Sequence, residues 1–344
     1  MTDQRNMFLA IIISMIILFT WDYFFAPKTV EQTQLTLTQD PDSLLPDIPD
    51  KPLDYASAEL TVTADRGSIL SEQDRIPINT QKLNGSLSLK GLRFDDLTLA
   101  SYRETTDPSS KDIELLSPLG SPNPYYAEVG WISADRDILL PSKDTAWIVE
   151  KNLTSLSESE TLVMTWKNPS GIEFRRSISI DENYMFQVHN EVTNTGESSI
   201  SLYPYGLLTR IDKPEVEGFF ILHEGPLGVF QETLKELDYD DLTADQSREE
   251  FSSTGGWLGF TDKYWLTALA YDQNEKIEGA FRYINSSNSR DRYQTEFRTT
   301  DPIIIAPGET DGATTYLFAG AKEVEILDNY TKTLGIKRFD LAID

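Results

Sequence analysis

Two histidines are the residues of this sequence best suited to acid/base chemistry. His189 lies in the stretch NYMFQVHNEV, where Gln187 and Glu191 share its parity and apolar residues occupy the opposite parity. A histidine beside a glutamate in the cleft of a β-sandwich could transfer protons on a sugar. The pattern nevertheless favours a histidine exposed on a solvated sheet face, because its neighbours of equal parity are polar. His223, in FFILHEGPLG, has no evident partner in the sequence.

The acidic segment Glu232–Glu250 is the candidate for a metal site. An EF-hand loop needs oxygen ligands at positions 1, 3 and 5 and a glycine at position 6. With Asp238 as the first ligand, Asp240 fits the third position, but Leu242 and Thr243 occupy the fifth and sixth. The loop pattern fails, and we predict that this segment is a solvated loop.

Other catalytic and cofactor motifs are missing from the sequence. His189-Asn190-Glu191 has the H-x-E form of zinc deaminases, but those proteins also need a P-C-x-x-C motif, and this chain contains no cysteine. Without cysteine, disulfides, thiolate nucleophiles and Cys-based zinc sites are excluded. The sequence contains no P-loop, no dinucleotide-binding glycine motif and no G-x-S-x-G motif. We therefore expect no catalytic residue, no metal site, no cofactor and no enzymatic activity.

Composition narrows the class of protein further. The 344 residues include 30 Lys and Arg against 56 Asp and Glu, which is a formal net charge of −26. Such a charge argues against a nucleic-acid partner, because binding to phosphates requires cations. Hydrophobic residues make up 39% of the chain and aromatic residues 11%, enough to build a sizeable core and to exclude a disordered protein.

An apolar segment near the N-terminus predicts a membrane anchor. Met7–Phe25 is nineteen residues long and carries one charge, Asp22, near its aromatic end. This length is close to what a helix needs to cross a hydrocarbon core of about 30 Å, and the Trp, Tyr and Phe residues at its end are typical of a membrane interface. The bulky residues that follow the apolar run disfavour a cleaved signal peptide, which needs small residues there. A buried core helix at the extreme N-terminus is less favoured still.

The charges around this segment predict its orientation. Arg5 and the terminal amine precede it, and a mostly acidic chain follows, with Lys28 the nearest cation. The positive-inside bias therefore points to a cytoplasmic N-terminus and a translocated main domain. In a bacterial inner membrane, that domain lies in the periplasm. The lipid bilayer is thus an expected partner, contacted through Met7–Phe25.

Behind the anchor, the pattern predicts a linker and then a β-rich body. The segment 28–57 is rich in Gln, Thr, Asp and Pro, as flexible linkers are. Beyond it, short runs alternate between apolar and polar residues and are separated by Gly, Asn, Asp and Pro, which is typical of strands and turns. In GIEFRRSISI, for example, four apolar residues share one parity. We predict a large antiparallel β-sandwich, because no βαβ alternation interrupts the strands.

Helical patterns are few. Lys322–Leu334 has apolar residues near helical spacing, and Gly335 stands where a helix commonly ends. Gly255–Tyr264 reads as a short aromatic helix or a loop that leads into a strand at Trp265–Ala270. Trp257, Phe260, Tyr264 and Trp265 are predicted to pack mainly in the core or between elements, with a partner contact surface as the less favoured alternative.

Four segments carry a resemblance to a known family. They are the N-terminal stretch with Arg5-Asn6 before the apolar segment, Pro122–Glu128, the G-W-x-G-F-T-D-K-Y-W motif within Gly255–Leu266, and the terminal stretch Tyr330–Asp344. Together they extend from the first residues to the last. In all four the chain resembles the YidC family of bacterial membrane protein insertases, within the larger YidC/Oxa/Alb group.

The resemblance implies both a fold and a role. The large periplasmic domain of that family is a twisted β-sandwich similar to the galactose mutarotase superfamily, with a C-terminal helix packed on a sheet. The family inserts and folds inner-membrane proteins, alone or with the Sec translocon. Its expected partners are therefore the bilayer, nascent inner-membrane proteins and Sec components, and its expected location is the bacterial inner membrane.

One departure from the family pattern shapes the functional hypothesis. In the family, five further transmembrane helices with a substrate-receiving groove follow the segment that matches Leu341–Asp344, whereas this sequence stops there. We therefore expect a tether, spacer and contact surface of an insertase, without the groove. The alternatives are a membrane-anchored periplasmic carbohydrate-binding or mutarotase-like protein, and a periplasmic scaffold unrelated to insertion.

The expected organisation follows from these patterns. Residues 1–27 form the cytoplasmic N-terminus and the transmembrane anchor, and residues 28–57 form the linker. Residues 58–321 form the periplasmic β-sandwich. Residues 322–344 form the C-terminal helix and the start of the segment that leads to the membrane domain.

Overall fold

The structure is a computed structural model that describes residues 62–343, apart from residues 108, 152, 215–221, 245–247 and 285–289. The predicted anchor Met7–Phe25 and the predicted linker 28–57 lie outside the described residues. Among the residues that are described, no helix has both the length and the apolar character needed to cross a bilayer.

The described chain is built mainly of β-strands in two antiparallel sheets. The strands of the first sheet are β1 Arg75–Asn79, β2 Leu83–Ser88, β3 Phe94–Arg103, β4 Asp112–Leu116, β5 Tyr125–Ile132, β10 Ile200–Ile211, β13 Arg248–Thr254, β16 Lys276–Ile284, β17 Arg292–Thr299 and β18 Ile303–Ile305. The strands of the second sheet are β6 Ile148–Val149, β7 Thr161–Lys167, β8 Ile172–Ile180, β9 Met185–Asn194, β11 Gly225–Phe230, β12 Thr233–Glu236, β14 Gly256–Thr261, β15 Trp265–Ala270 and β19 Thr310–Ala321.

The strand order shows how the chain moves between the two sheets. In the first sheet it is β1-β2-β3-β5-β10-β17-β16-β13, with β4 beside β3 and β18 beside β10. In the second sheet it is β12-β11-β14-β15-β19-β9-β8-β7-β6. Neighbours are antiparallel throughout both orders, as predicted from the short alternating runs.

The hairpin of β8 and β9 shows why these residues form strands. Every second residue of β8, from Ile172 to Ile180, is buried, and the residues between them are partly exposed. Phe174 is paired with Val192 and Ile178 with Val188, so apolar side chains of both strands share the inner face. The alternation predicted here is confirmed.

Gly255–Tyr264 was predicted as a short helix or loop, and that prediction is wrong. Six of its residues, Gly256–Thr261, form strand β14, and all six are buried. A strand covered on both faces has no polar alternation, so its sequence does not show the period of two that indicates a strand. Gly259 permits close strand pairing, because a Cβ there would lie 2.1 Å from the backbone oxygen of Thr267 on β15.

Three helices and one 3₁₀ turn complete the described elements: α1 Arg66–Ser71, α2 Tyr239–Ala244, α3 Val324–Thr333 and the turn Phe339–Ala342. Helix α3 confirms the predicted C-terminal helix, and Gly335 follows it with a φ of 68°. Its buried face consists of Ile326, Leu327 and Tyr330, whereas Val324 is exposed.

The acidic segment Glu232–Glu250 is not the solvated loop that its charge suggests. It contributes strand β12, helix α2 and the start of β13. Within α2, Tyr239 and Leu242 are buried in the core, which anchors the segment to the sandwich. Two well-placed apolar residues are enough to order a stretch that is otherwise acidic.

The core lies between the two sheets and holds them together. Phe94 of β3 contacts Phe186 of β9 with ring centroids 5.3 Å apart, and Tyr125 of β5 contacts Phe260 of β14 at 5.9 Å. Each of these pairs joins a strand of one sheet to a strand of the other. The described strands therefore form the antiparallel sandwich that the sequence predicted.

Candidate functional site

The two histidines do not form a common site. His189 lies on β9, and His223 lies just before β11. Three strands, β14, β15 and β19, separate β9 from β11 in the sheet. At the usual strand spacing this places the two elements about 19 Å apart. A mutarotase-like pair of convergent histidines is therefore not assembled.

Each histidine is held by its own neighbours. His189 Nδ1 lies 3.0 Å from the hydroxyl of Thr314 on the adjacent strand β19, where the side chain is partly covered. His223, for which the sequence showed no partner, has two: its Nε2 lies 3.1 Å from the Pro226 carbonyl oxygen, and its Nδ1 lies 3.4 Å from an Asp238 carboxylate oxygen. Asp238 belongs to the acidic segment, so only the tertiary fold brings this partner close.

The most diagnostic sequence segments pack on one another. Trp257 of β14 contacts Phe339 of the 3₁₀ turn with ring centroids 5.2 Å apart and an angle of 81° between the rings. Its indole Nε1 donates to the Arg338 carbonyl oxygen at 3.3 Å. Tyr330 of α3 donates its hydroxyl to Asp181, 2.7 Å away. The aromatic motif and the C-terminal stretch thus form one structural unit that closes the second sheet.

The acidic residue of the same motif forms a partly buried ion pair. Asp262, after β14, receives two hydrogen bonds from Arg210 of β10, at 2.7 and 3.2 Å. The guanidinium of Arg210 also lies 4.8 Å from the ring centroid of Tyr125 and donates to the Tyr239 hydroxyl at 3.2 Å. Burial alone lowers the pKa of Arg210, but the charge of Asp262 raises it well above its usual value. This pair joins the two sheets and is structural.

The prediction that four aromatic residues of this region pack in the core or between elements holds for three of them. Trp257 and Phe260 are buried, and Trp265 is half-buried and contacts Tyr102 of β3 with ring centroids 5.0 Å apart. Tyr264 is 57% exposed, which contradicts the prediction. It lies in the short turn between β14 and β15, where a side chain leaves the sheet. With Tyr102 and Trp265 it lines a shallow groove near Ile343.

A separate cavity of about 370 Å³ lies at the β5 side of the sandwich. Residues of β5, β8 and β10 and the segment 141–147 contribute to its wall. Its aromatic lining consists of Trp131, Trp147 and Tyr205. The volume falls in the range of small-molecule sites.

Most charges around this cavity are paired. Arg93 lies 2.6 Å from Glu128, and Lys90 at the rim lies 2.9 Å from Asp144. Asp95 is paired with Arg75. Burial raises the pKa of Asp95, although the charge of its arginine partner acts in the opposite direction.

Arg176 is the exception. Its side chain lines the cavity and is 4% exposed, and in the part of the chain that the structure describes no carboxylate lies within 4.0 Å of its guanidinium. Nε donates to Asn190 Oδ1 and Nη2 to the Val129 carbonyl oxygen, each at 2.5 Å. Burial lowers the pKa of Arg176 to about 10, and the charges of Tyr205 and Glu128 oppose this only in part.

The sequence held one indication of this site. Arg176 stands at the centre of the inner parity of β8, between Phe174 and Ile178, so it interrupts an otherwise apolar row. A charge at an inward position needs a partner or a function. The remaining wall comes from residues that are distant in the sequence, which no local pattern groups together. Among the described residues, no cluster of three His, Asp or Glu side chains could hold a metal ion.

Solved structures with a similar fold include a galactose mutarotase related enzyme from Lactobacillus acidophilus. It has a TM-score of 0.49 and 10% identity, over 72% of this chain and 97% of that chain. A galactose mutarotase-like protein from Lactobacillus casei has a TM-score of 0.47 and 10% identity, over 72% of this chain and 100% of that chain. The galactose-mutarotase-like form of the sandwich stays a prediction.

Curated relatives match over nearly the whole chain. A membrane protein insertase YidC from Beijerinckia indica is 39% identical over 360 residues, which cover 99% of this chain and 58% of the relative. The protein of the same name from Mesorhizobium japonicum is 37% identical over 361 residues, which cover 100% of this chain and 59% of the relative. The chain thus spans less than two thirds of the length of these relatives.

The family comparison agrees with the folded region. A family model described as the YidC periplasmic domain matches residues 75–344, which begin at strand β1 and include both sheets and the C-terminal helix. The diagnostic segments that pack together at the end of the second sheet all lie within that range. By this match and by the identity to its relatives, the chain belongs to the YidC family.

Proposed function

We propose that this chain is the N-terminal anchor and periplasmic domain of an insertase that inserts and folds inner-membrane proteins, alone or with the Sec translocon. The observation that carries the proposal is the 39% identity to a membrane protein insertase YidC over 99% of the chain. The substrates are nascent inner-membrane proteins, and the groove that receives them belongs to the remainder of the family's length.

The proposed arrangement has four parts. Residues 1–27 form the cytoplasmic N-terminus and the membrane anchor, and residues 28–57 form a flexible linker. Residues 58–321 form the β-sandwich in the periplasm. Residues 322–344 form helix α3 and the segment that leads toward the membrane. Strand β19 ends at Ala321 and helix α3 begins at Val324, which supports the boundary between residues 321 and 322.

The proposed role of the sandwich is that of a tether, spacer and contact surface rather than an enzyme. Support comes from the positions of the two histidines. His189 on β9 and His223 just before β11 are separated by three strands, and both lie outside the cavity lining. The same separation counts against the alternative of a mutarotase-like protein, which needs convergent acid and base groups. Unchanged rates of mutarotation of galactose in the presence of the chain would agree with this.

A depletion experiment tests the proposed function. Cells depleted of their own insertase receive either this 344-residue chain or a chimera in which the chain is followed by the C-terminal remainder of the Beijerinckia indica relative. We expect only the chimera to restore growth and membrane-protein insertion. The relative itself is the positive control. Rescue by the 344 residues alone would contradict the proposal, because the sandwich would then carry the activity.

Photo-crosslinking tests the Sec partnership separately. A photoreactive amino acid is placed at exposed hydrophobic positions on different faces, Ile148, Tyr264 and Ile304. If the domain contacts the translocon, adducts that contain a Sec subunit form from at least one of these positions. Adducts from none of them, in a chimera that still supports growth, would remove the Sec translocon from the proposal.

A further inference from the structure

The inference starts from the position of Arg176. It lies in the middle of β8 on the face that points into the sandwich, where the flanking inward residues are apolar. Only 4% of the side chain is exposed. A buried charge is costly unless an opposite charge or a set of strong hydrogen bonds compensates it.

The protein compensates this charge incompletely. The acceptors of Arg176 are a side-chain amide oxygen of Asn190 and the backbone oxygen of Val129, both of which are neutral. Glu128 lines the same cavity, but its carboxylate is engaged by Arg93 at 2.6 Å. At neutral pH the guanidinium is still protonated, since the lowered pKa is about 10. A full positive charge therefore borders the cavity, and Nη1 donates to no group in the described chain.

A second donor without an acceptor lies beside it. The indole Nε1 of Trp147 is buried and has no hydrogen-bond partner among the described residues, and Trp147 is 7% exposed. Its ring lies 5.4 Å from the guanidinium carbon of Arg176, and both side chains line the same cavity. That nitrogen is itself inaccessible to a water-sized molecule, so Trp147 contributes the surface of its ring, and not a hydrogen-bond donor, to the cavity wall.

The rest of the lining indicates the size and charge of the occupant. A volume of about 370 Å³ admits a molecule about as large as a monosaccharide, and Trp131 and Tyr205 offer aromatic surface to its body. The charged lining residues show an excess of one cation, although the whole chain carries −26: Lys90, Arg93, Lys143 and Arg176 against Asp95, Glu128 and Asp144. The cavity is thus a locally positive site in an acidic protein.

We propose that this cavity binds a small organic molecule that carries a carboxylate or phosphate group, with Arg176 as the donor to its oxyanion. The oxyanion supplies the opposite charge that Arg176 does not find within the described chain. The body of the ligand packs against the aromatic lining. This site is independent of the insertase function proposed above, because it rests on the cavity alone.

Matched probes test the proposal by isothermal titration calorimetry on the full 344-residue chain in detergent. Glucuronate is compared with glucose, and benzoate with benzyl alcohol, so that each pair shares a body and differs in charge. Glucose 6-phosphate then separates a phosphate ligand from a carboxylate ligand. We expect the charged member of at least one pair to bind at least tenfold more tightly than its neutral counterpart. Equal binding of the two members in both pairs, with no binding of glucose 6-phosphate, would overturn the proposal.

Three variants locate the binding. Arg176→Gln removes the charge and should weaken binding of the charged probe at least tenfold. Trp147→Phe replaces the indole that lines the cavity beside the guanidinium with a smaller ring and should weaken binding about threefold to tenfold. Arg136→Gln, at an exposed position outside the cavity lining, should bind as the unmodified chain does.

Circular dichroism checks that each variant is folded. Trp147→Phe keeps the test decisive if Arg176→Gln fails to fold. Unchanged affinity in Trp147→Phe, or in a folded Arg176→Gln, would show that the probe binds elsewhere and would overturn the assignment of Arg176 as the donor.

Discussion

Arg210 and Arg176 both lie on strands of the sandwich, Arg210 partly buried and Arg176 buried, yet their charges are compensated in opposite ways. Arg210 has a bidentate carboxylate partner, Asp262, and its pKa lies above the usual value. Arg176 has two neutral acceptors, and burial lowers its pKa to about 10. Arg210 joins two sheets through contacts that are complete within the chain. Arg176 borders a cavity, and no carboxylate of the described chain pairs with its charge, which in our proposal a ligand does.

The difference teaches how a buried charge can be interpreted. A pair that is satisfied within the protein specifies how elements pack and has no need of a ligand. A buried charge that faces empty volume is incomplete without one. The two arginines therefore serve as internal controls for each other, because they have the same side-chain chemistry and lie in one sandwich.

The largest expected effect is alkaline destabilisation around Arg210 and around Arg93, each of which contacts a buried tyrosine. Burial raises to about 12 the pKa of Tyr239, which contacts Arg210, and of Tyr126, which lies under the guanidinium of Arg93. Unfolded tyrosine loses its proton near pH 10, whereas these two keep it until about pH 12 when folded. Each should therefore lower the free energy of unfolding by about 1.4 kcal/mol per pH unit above pH 10, or about 5 kcal/mol together by pH 12.

Urea unfolding between pH 8 and pH 12 measures this effect, with absorbance at 295 nm to follow phenolate formation. Tyr239→Phe and Tyr126→Phe should each remove about 2 kcal/mol of the loss expected by pH 12. This is only part of the total, because burial also raises the pKa of Tyr125, Tyr184, Tyr205, Tyr271, Tyr293 and Tyr330. Ionisation of all tyrosines near pH 10 in a chain that stays equally stable would contradict the expectation.

Arg210→Gln is expected to have the next largest effect. It leaves the Asp262 carboxylate without its partner, and losing one member of a buried pair costs about 3 kcal/mol or more. We expect about 3 kcal/mol, because a quarter of the Asp262 side chain is exposed and water screens the remaining charge. The free energy of unfolding in urea measures it. A loss below about 1 kcal/mol would show that the pair does not join the sheets.

Arg176→Gln should cost less, about 1 to 2 kcal/mol. The substitution weakens the bonds to Asn190 and Val129, but it also removes a buried charge that has no carboxylate partner. The same urea experiment, run without added ligand, compares the two arginines directly. If Arg176→Gln were as destabilising as Arg210→Gln, the charge of Arg176 would be compensated within the chain.

The smallest effect is expected at the surface. Arg175, the neighbour of Arg176 on β8, lies 2.8 Å from Glu150, and both side chains are about a third exposed. Glu150→Gln should change the free energy of unfolding by about 0.5 kcal/mol or less, since solvent screens exposed pairs. Raising the salt concentration should also change the stability difference between Glu150→Gln and the unmodified chain only slightly. A loss of 2 kcal/mol would indicate that this pair is coupled to the buried site beside it.

Local sequence patterns were sufficient where one face of an element is buried and the other is not. The alternation of β8 and β9 identified both strands, and the spacing before Gly335 identified α3. The same reasoning missed β14, because all of its residues are buried and the alternation disappears. It also missed the order in Glu232–Glu250, where the burial of Tyr239 and Leu242 depends on partners distant in the sequence.

The candidate site was less predictable than the fold. The sequence suggested His189 and His223 because histidine suits acid/base chemistry. In the fold, His189 lies on β9 and His223 just before β11, and each has its own local partners. Arg176 was visible only as an interruption in an apolar row. Its partners come from β5 and β9, and the indole next to it precedes β6. No spacing rule connects those positions.

The amino-acid sequence by itself determined the mainly β class, the C-terminal helix, the absence of cysteine chemistry and the family resemblance, because each depends on residue identity or on local periodicity. The tertiary structure alone decided which charges meet. Asp262 reaches Arg210 across the sandwich, whereas Arg176 meets an amide, a backbone carbonyl and a cavity. Compensation of a buried charge depends on distances between residues that are far apart in the chain, and only the folded sheets set those distances.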